Sequence, residues 1–276
     1  MDGSLGYNRP REAALMLDVH PPHQPVHGLR DFLVHLSTIT VGLLIALGLE
    51  ACVEWMHHRH QVEDVRVALL RERSENQKRF VENTAFTRQD AALLQNDLLV
   101  LRFCQTHPGT SEGSLPGVFV LTNSYQRSVD SAWTMAQATS VTALMPQEEV
   151  QGTAELYSFF DRIDRAHEEE ADAIADAVSF MSEDPKVSHL STAQIAKEIE
   201  LLHRVAAKHL RHAFLMQNLA EEHPEFQPGP SREELERWLH LDETNNDQTL
   251  SNARLLTKQR IDSAVSPARA AHQQSQ

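Results

Sequence analysis

Glycine and aromatic residues are scarce in this 276-residue chain, at 10 residues and 6% respectively. No Val/Ile/Thr-rich run alternates with polar residues between turn signals. Those two gaps argue against a sheet-based fold, and the abundance of Ala, Glu, Leu and Gln predicts an all-α protein. A basic face is missing as well. The net charge is −14, and a nucleic-acid binder needs clustered Lys and Arg to displace counterions from phosphates, so no nucleic-acid partner is expected. The two cysteines, Cys52 and Cys104, would lie roughly 78 Å apart on one long helix at about 1.5 Å per residue, which excludes an internal disulfide. No nucleophile elbow, Walker loop, H-E-x-x-H pair or Rossmann glycine pattern occurs, so the chain reads as non-enzymatic and without a cofactor. No repeat of solenoid length is evident.

What the chain does contain is a single long apolar run. Its mean hydropathy of −0.41 and 41% hydrophobic content describe an ordinary water-soluble polypeptide. From Phe32 to Leu49, however, there is no Lys, Arg, Asp or Glu. As a helix the run covers roughly 27 Å, and continuing to Val53 adds about 6 Å, enough to cross a hydrocarbon core of about 30 Å. Glu50 then falls near the headgroups and Trp55 at the interfacial depth that suits its amphipathic ring. Polar residues inside the run (His35, Ser37, Thr38, Thr40) are neutral and scattered, so neither a water-facing core helix nor an interfacial amphipathic helix fits. A cleaved signal peptide fits poorly, because about 30 residues precede the run and no small-x-small site follows it.

Thr38, Gly42, Ala46 and Glu50 recur every fourth residue and share one helix face, where small residues let two spanning helices pair closely. A homodimer through the anchor and stalk is one reading of this stripe, and the general frequency of Gly and Ala in spanning helices is the other; the lipid bilayer is the expected partner. Orientation is finely balanced. Arg30 and Arg59 tie across the span, the wider count of Arg66, Arg71, Arg73, Lys78 and Arg79 favours a cytoplasmic C-terminal domain, and a short tail ahead of a signal-anchor favours the periplasmic side, toward which the reading leans.

The stretch "VGLLIALGLEACVEW", followed by a histidine- and arginine-laced helix, resembles a group of bacterial single-pass membrane proteins of unassigned role. In that group a G-x-LIAL core leads into an acidic residue, a Trp and a charged helix. The likeness is sharpest from Phe32 to about Asn76 and weaker through "DSAWTMAQATSVTALMPQEEVQ". It implies a bacterial inner-membrane protein with an extramembrane helical domain, and it implies no activity.

The expected organisation is a Pro- and His-rich disordered tail over 1–29, a transmembrane anchor over 30–55, a helical bundle of about four helices with its stalk over 56–243, and a polar tail over 244–276 that is a frayed helix and then disordered. The first helix should run to about Gln105, since no Pro or Gly interrupts Ala51 to Thr106. "HPGTSEGSLPG" is a loop, "VFVLT" a short extended piece, and Ser128 to Ala143 an imperfect helix around Trp133. Pro146 suits a helix start, with Glu148 and Glu149 at the positive end of the dipole, and that helix should reach about Glu183. Ser191 with Gln194, and Ser231 with Glu234, read as capping boxes opening two more helices.

Two apolar seams carry polar members. Val150, Tyr157, Asp164, Ala171 and Val178 form one line, with Phe160, His167, Ile174 and Met181 beside it. Ile195, Leu202, His209 and Met216 form the other. An antiparallel hairpin turning near residue 187 would place His209 opposite about residue 165, so Asp164, His167 and His209 are expected to bond one another or water. A polar network that sets the hairpin's register is one reading. A metal- or small-ligand-binding bundle is the alternative, since imidazoles with a carboxylate suit Zn or Fe. Near the span, His57, His58 and His60 are either solvated interfacial groups or a titrating cluster. The leading expectation is a membrane-anchored helical scaffold or sensor-like interaction module.

Overall fold

The structure, a computed structural model, describes residues 28–181 and 186–241; the tail over 1–27 and the segment 244–276 lie outside the described residues. The described residues form five α-helices joined by short 3₁₀ turns and loops, with no strand among them. They are α1 (Leu29–Thr106), α2 (Ser131–Ala138), α3 (Gln147–Met181), α4 (Thr192–Glu222) and α5 (Arg232–Leu239). The chain divides into two units, one ending at His57 and the other beginning at His58.

The first unit is the N-terminal part of α1. Every residue from Gly28 to His57 is exposed, and this is the one described helix apolar enough to cross a membrane, with a mean hydropathy of 2.1 over 18 residues. The Thr38 and Thr40 hydroxyls donate to the carbonyls of Val34 and Leu36, one turn back, at 2.9 and 2.8 Å. Both hydroxyls are thus satisfied inside their own helix without water.

In the second unit the remainder of α1 packs with α3 and α4. Pro146 precedes the first residue of α3, where its missing N–H is harmless. Ser191 and Gln194 close a reciprocal capping box on α4, as Ser231 and Glu234 do on α5. One apolar cluster gathers Leu94, Leu98 and Leu101 of α1 with Ala173 and Ala177 of α3 and Leu202 and Val205 of α4. A second joins Phe80, Phe160, Met216, Leu219 and Phe226, with Trp133 of α2. Ion pairs link α3 and α4: Glu169 with Lys208 and Arg211, both at 2.6 Å, and Asp176 with Arg204 at 3.6 Å. Because partner numbers fall on one helix as they rise on the other, the pair is antiparallel.

The segment between α1 and α2 has no helical or sheet bonds from Val118 to Asp130, yet much of its backbone is hydrogen-bonded to side chains. It runs back along α1, whose buried polar side chains supply the partners. Asn76 binds both the N–H and the carbonyl of Val129, at 2.7 and 2.8 Å. Asn83 does the same for Gln126, at 2.8 Å each. Asp90 accepts from the N–H of Ser124 at 3.0 Å and Asp97 from that of Val120 at 2.8 Å. Asn96 donates to the Val118 carbonyl at 2.7 Å.

The spacing follows from geometry: seven helical residues rise about 10.5 Å and three extended residues about 10 Å. Rungs at positions 76, 83, 90 and 97 of α1 therefore meet the strap at roughly every third residue. At the lower end Glu72 accepts from the Ser131 hydroxyl and the Ala132 N–H, at 2.9 and 2.8 Å. It caps α2 from another helix, with its carboxylate at the positive end of the dipole. Gly117 is required where the strap meets α1, since a Cβ there would sit 2.2 Å from Asn96 Oδ1.

Three expectations are corrected here. The helix anticipated over 128–143 is α2 followed by a separate 3₁₀ turn, Val141–Leu144, with Ser140 in the left-handed region at φ 59° between them. The extended piece at "VFVLT" is part of a much longer strap. On α3 the line Leu156, Ile163, Glu170 and Ala177 is buried throughout, whereas the expected line one position on is buried at Tyr157 and Asp164 and ends at Val178, which is 48% exposed.

Candidate functional site

Where α3 faces α4 and the strap, the structure collects a buried group of ionisable side chains. Glu170 is at its centre, 2% exposed. His209 Nδ1 lies 2.7 Å from Glu170 Oε1 and His212 Nδ1 3.0 Å from Oε2. A carboxylate can only accept, so both ring nitrogens carry the proton. His167 Nδ1 is 4.0 Å from Glu170 Oε2. Each helix contributes residues three apart, His167 with Glu170 and His209 with His212, which places both pairs on the facing sides.

The strap supplies the cover. The Tyr125 ring stacks on His167 at 4.1 Å and meets His212 edge-on at 5.3 Å. Its hydroxyl donates to Asp164 Oδ1 at 2.6 Å. Asp164 also accepts from the N–H and hydroxyl of Ser128, each at 3.3 Å, and has Arg127 Nε 3.7 Å from Oδ2. Trp238, just before the end of α5, packs its ring 5.5 Å from that of His209.

The protonation states follow from this packing. Burial disfavours the Glu170 carboxylate, but the charge on His209 and the hydrogen bonds from His209 and His212 outweigh it and hold Glu170 well below the usual carboxylate range. Burial likewise opposes a charge on His209, and Glu170, with Asp90 and the Thr87 carbonyl adding to it, raises its pKa nonetheless. His167 is pushed down to about 4, first by burial and then by repulsion from His212. At neutral pH the site thus holds an ionised Glu170, bonded by His209 and His212, beside an uncharged His167. Higher in the core Asp97 is raised to about 8 and Glu198 to about 7, in both cases by burial. Both Glu198 oxygens and Asp97 Oδ2 lack hydrogen-bond partners.

Of the three residues expected to bond together, His167 and His209 do reach one cluster, but through Glu170. Asp164 is bound instead to Tyr125 and Ser128, and it touches the cluster only through the Tyr125 ring. The register explains the difference. Facing pairs on α3 and α4 have numbers summing to about 380 rather than 374, so the true register lies about three residues further along each helix than a turn centred at residue 187 would give. Glu170, His212 and Tyr125 were missed. The line Leu156–Ile163–Glu170–Ala177, with one carboxylate in an apolar heptad, was the signal for Glu170. Thr38, Gly42, Ala46 and Glu50 are all exposed on α1.

Comparison of the chain with protein-family models, with curated proteins and with solved structures found no match.

Proposed function

We propose that the chain is a membrane-anchored, non-enzymatic helical module of the bacterial inner membrane, paired with a second copy of itself through α1. The observation that carries this reading is the collar of exposed apolar side chains from Phe32 to Val53, with Ile39 at 69% and Leu43 and Leu44 at 61%. At about 25 cal/mol per Å2 a collar of this size is strongly unfavourable in water, whereas hydrocarbon accommodates it. The internal Thr38 and Thr40 hydrogen bonds suit the same medium. Gly42 has nothing within 4 Å of where its Cβ would be, leaving the face with Thr38, Ala46 and Glu50 open to a second helix. The likeness to bacterial single-pass proteins supports the inner membrane as the location. A non-enzymatic role is supported by the sequence, which carries no nucleophile elbow, Walker loop, H-E-x-x-H pair or Rossmann glycine pattern.

Alkaline carbonate extraction of membranes tests the anchor. Retention of the chain in the floated membrane fraction is expected, and release into the supernatant would overturn the reading. Pairing is tested separately by Gly42→Ile in a membrane-association reporter, where a loss of at least fivefold in signal is expected and an unchanged signal would remove the dimer.

A further inference from the structure

We infer that His167, Glu170 and His212 form a binding site for a single divalent transition-metal ion of the zinc class, an assignment that is independent of the membrane anchor. A ligand atom from each of the three lies within 4.8 Å of the others, and the donor set, two imidazoles and one carboxylate, is that of many three-ligand zinc sites with an open fourth position.

The distances bear on how little must move. Ligands about 2.1 Å from a metal are separated by about 3.0 Å at a right angle and about 3.4 Å at a tetrahedral angle. Glu170 Oε2 and His212 Nδ1 already stand 3.0 Å apart. His167 Nδ1, at 4.0 Å from the same oxygen, must close by roughly 0.6 to 1 Å, and its side chain is the loosest of the three, at 16% exposure against 3% for Glu170 and 4% for His212. That partial exposure also gives the ion its way in. A metal substitutes for the proton now held between His212 and Glu170.

The surroundings suit the ion as well. His209 bonds the other carboxylate oxygen at 2.7 Å, which fixes the orientation of Glu170 while Oε2 binds. Ligand-supporting contacts of this kind are a regular part of protein metal sites. The Tyr125 ring, stacked on His167, limits its rotation and excludes bulk water from one side. Helical bundles build metal sites from inward-pointing carboxylates and histidines three residues apart on one helix, usually as Glu-x-x-His; here His167 and Glu170 take that spacing in the reverse order and face His212 on the next helix.

The test uses the full-length chain in detergent, stripped with a chelator, dialysed against zinc and passed through metal-free buffer. About one zinc per chain is expected, with an unfolding midpoint that rises in zinc and falls again in chelator. His167→Ala, at the most exposed ligand, should lower affinity at least tenfold and abolish the zinc-induced rise in midpoint while far-UV circular dichroism is unchanged. Glu170→Gln should do the same; should its fold be lost, the His167 variant alone decides. With 16 histidines in the chain, a triple variant His57→Ala, His58→Ala, His60→Ala is the control and should keep the zinc. No retained zinc, or zinc lost from the triple variant but kept by His167→Ala, would overturn the assignment.

Discussion

Exchanging Asn83 for Asp, a change of one atom in kind, should convert a rung of the α1 ladder into a pH-dependent lesion. Asn83 accepts from the Gln126 N–H and donates to its carbonyl, both at 2.8 Å. An ionised Asp keeps the acceptor but presents a second oxygen to the carbonyl, whereas a protonated Asp both accepts and donates. Burial at 4% exposure and the need for a donor both raise the folded-state pKa of the new carboxyl above its unfolded value of about 3.9. The folded state then binds more protons than the unfolded one, so stability relative to the wild type is kept below about pH 4 and lost as pH rises, at up to about 1.4 kcal/mol per pH unit until the folded pKa is passed. Asn83→Ala supplies the scale. It strands one donor and one acceptor at about 1–3 kcal/mol each, for a loss of about 2–4 kcal/mol at this half-buried strap, with no dependence on pH. Urea unfolding of the full chain in detergent, followed by circular dichroism at pH 4.5, 6 and 8, measures both. Asn83→Asp should be close to wild type at pH 4.5 and no more stable than Asn83→Ala at pH 8. A variant matching the wild type at pH 8 would refute the ladder.

Further substitutions probe other parts of the core. Asp97→Asn keeps the acceptor for the Val120 N–H and removes a carboxyl whose pKa burial raises to about 8; it should gain on the wild type by up to about 1.4 kcal/mol per unit as pH rises from about 4 to 8, and parallel pH profiles in urea unfolding would contradict this. Gly117→Ala must displace Asn96 from 2.2 Å and break its bond to Val118, lowering stability by about 1–3 kcal/mol. Gly152→Ala, in α3 with nothing within 4 Å of the new Cβ, should raise it by about 0.5–1 kcal/mol in the same unfolding assay. His209→Leu strips Glu170 of its charged partner and should lower stability by about 3–5 kcal/mol at pH 7; a thermal midpoint equal to the wild type's would show that Glu170 is neutral in the fold.

Local signals in the sequence carried far, and pairings between distant segments did not. Pro146, the capping boxes at Ser191 and Ser231, and the uninterrupted stretch before Thr106 each mark a helix end through bonds made within a few residues, so they were readable without any tertiary knowledge. Ile195, Leu202, His209 and Met216 were likewise readable as one buried line. The strap was not, because helix propensity and apolar spacing treat Asn76, Asn83, Asp90 and Asp97 as interruptions of a seam. Their seven-residue period becomes meaningful only when an extended chain lies against them. Glu170 escaped for a related reason. The α3 seam can be drawn along two adjacent lines, and the choice between them depends on which face α4 covers. A pairing rule centred on residue 187 then missed the true register, because the α3–α4 connection is not a symmetric turn about that residue and the facing pairs sum to about 380.

The central claim, that α1 places its exposed apolar collar in a bilayer, is tested most directly by cysteine accessibility. In a Cys52→Ser, Cys104→Ala background, Ile39→Cys and Ser111→Cys are compared in permeabilised membranes using a water-soluble maleimide. Both positions are exposed in the isolated chain. Labelling at Ser111→Cys with protection at Ile39→Cys, lifted when the membranes are dissolved in denaturing detergent, is the predicted result. Equal labelling of both in intact bilayers would place the collar in water and contradict the anchor.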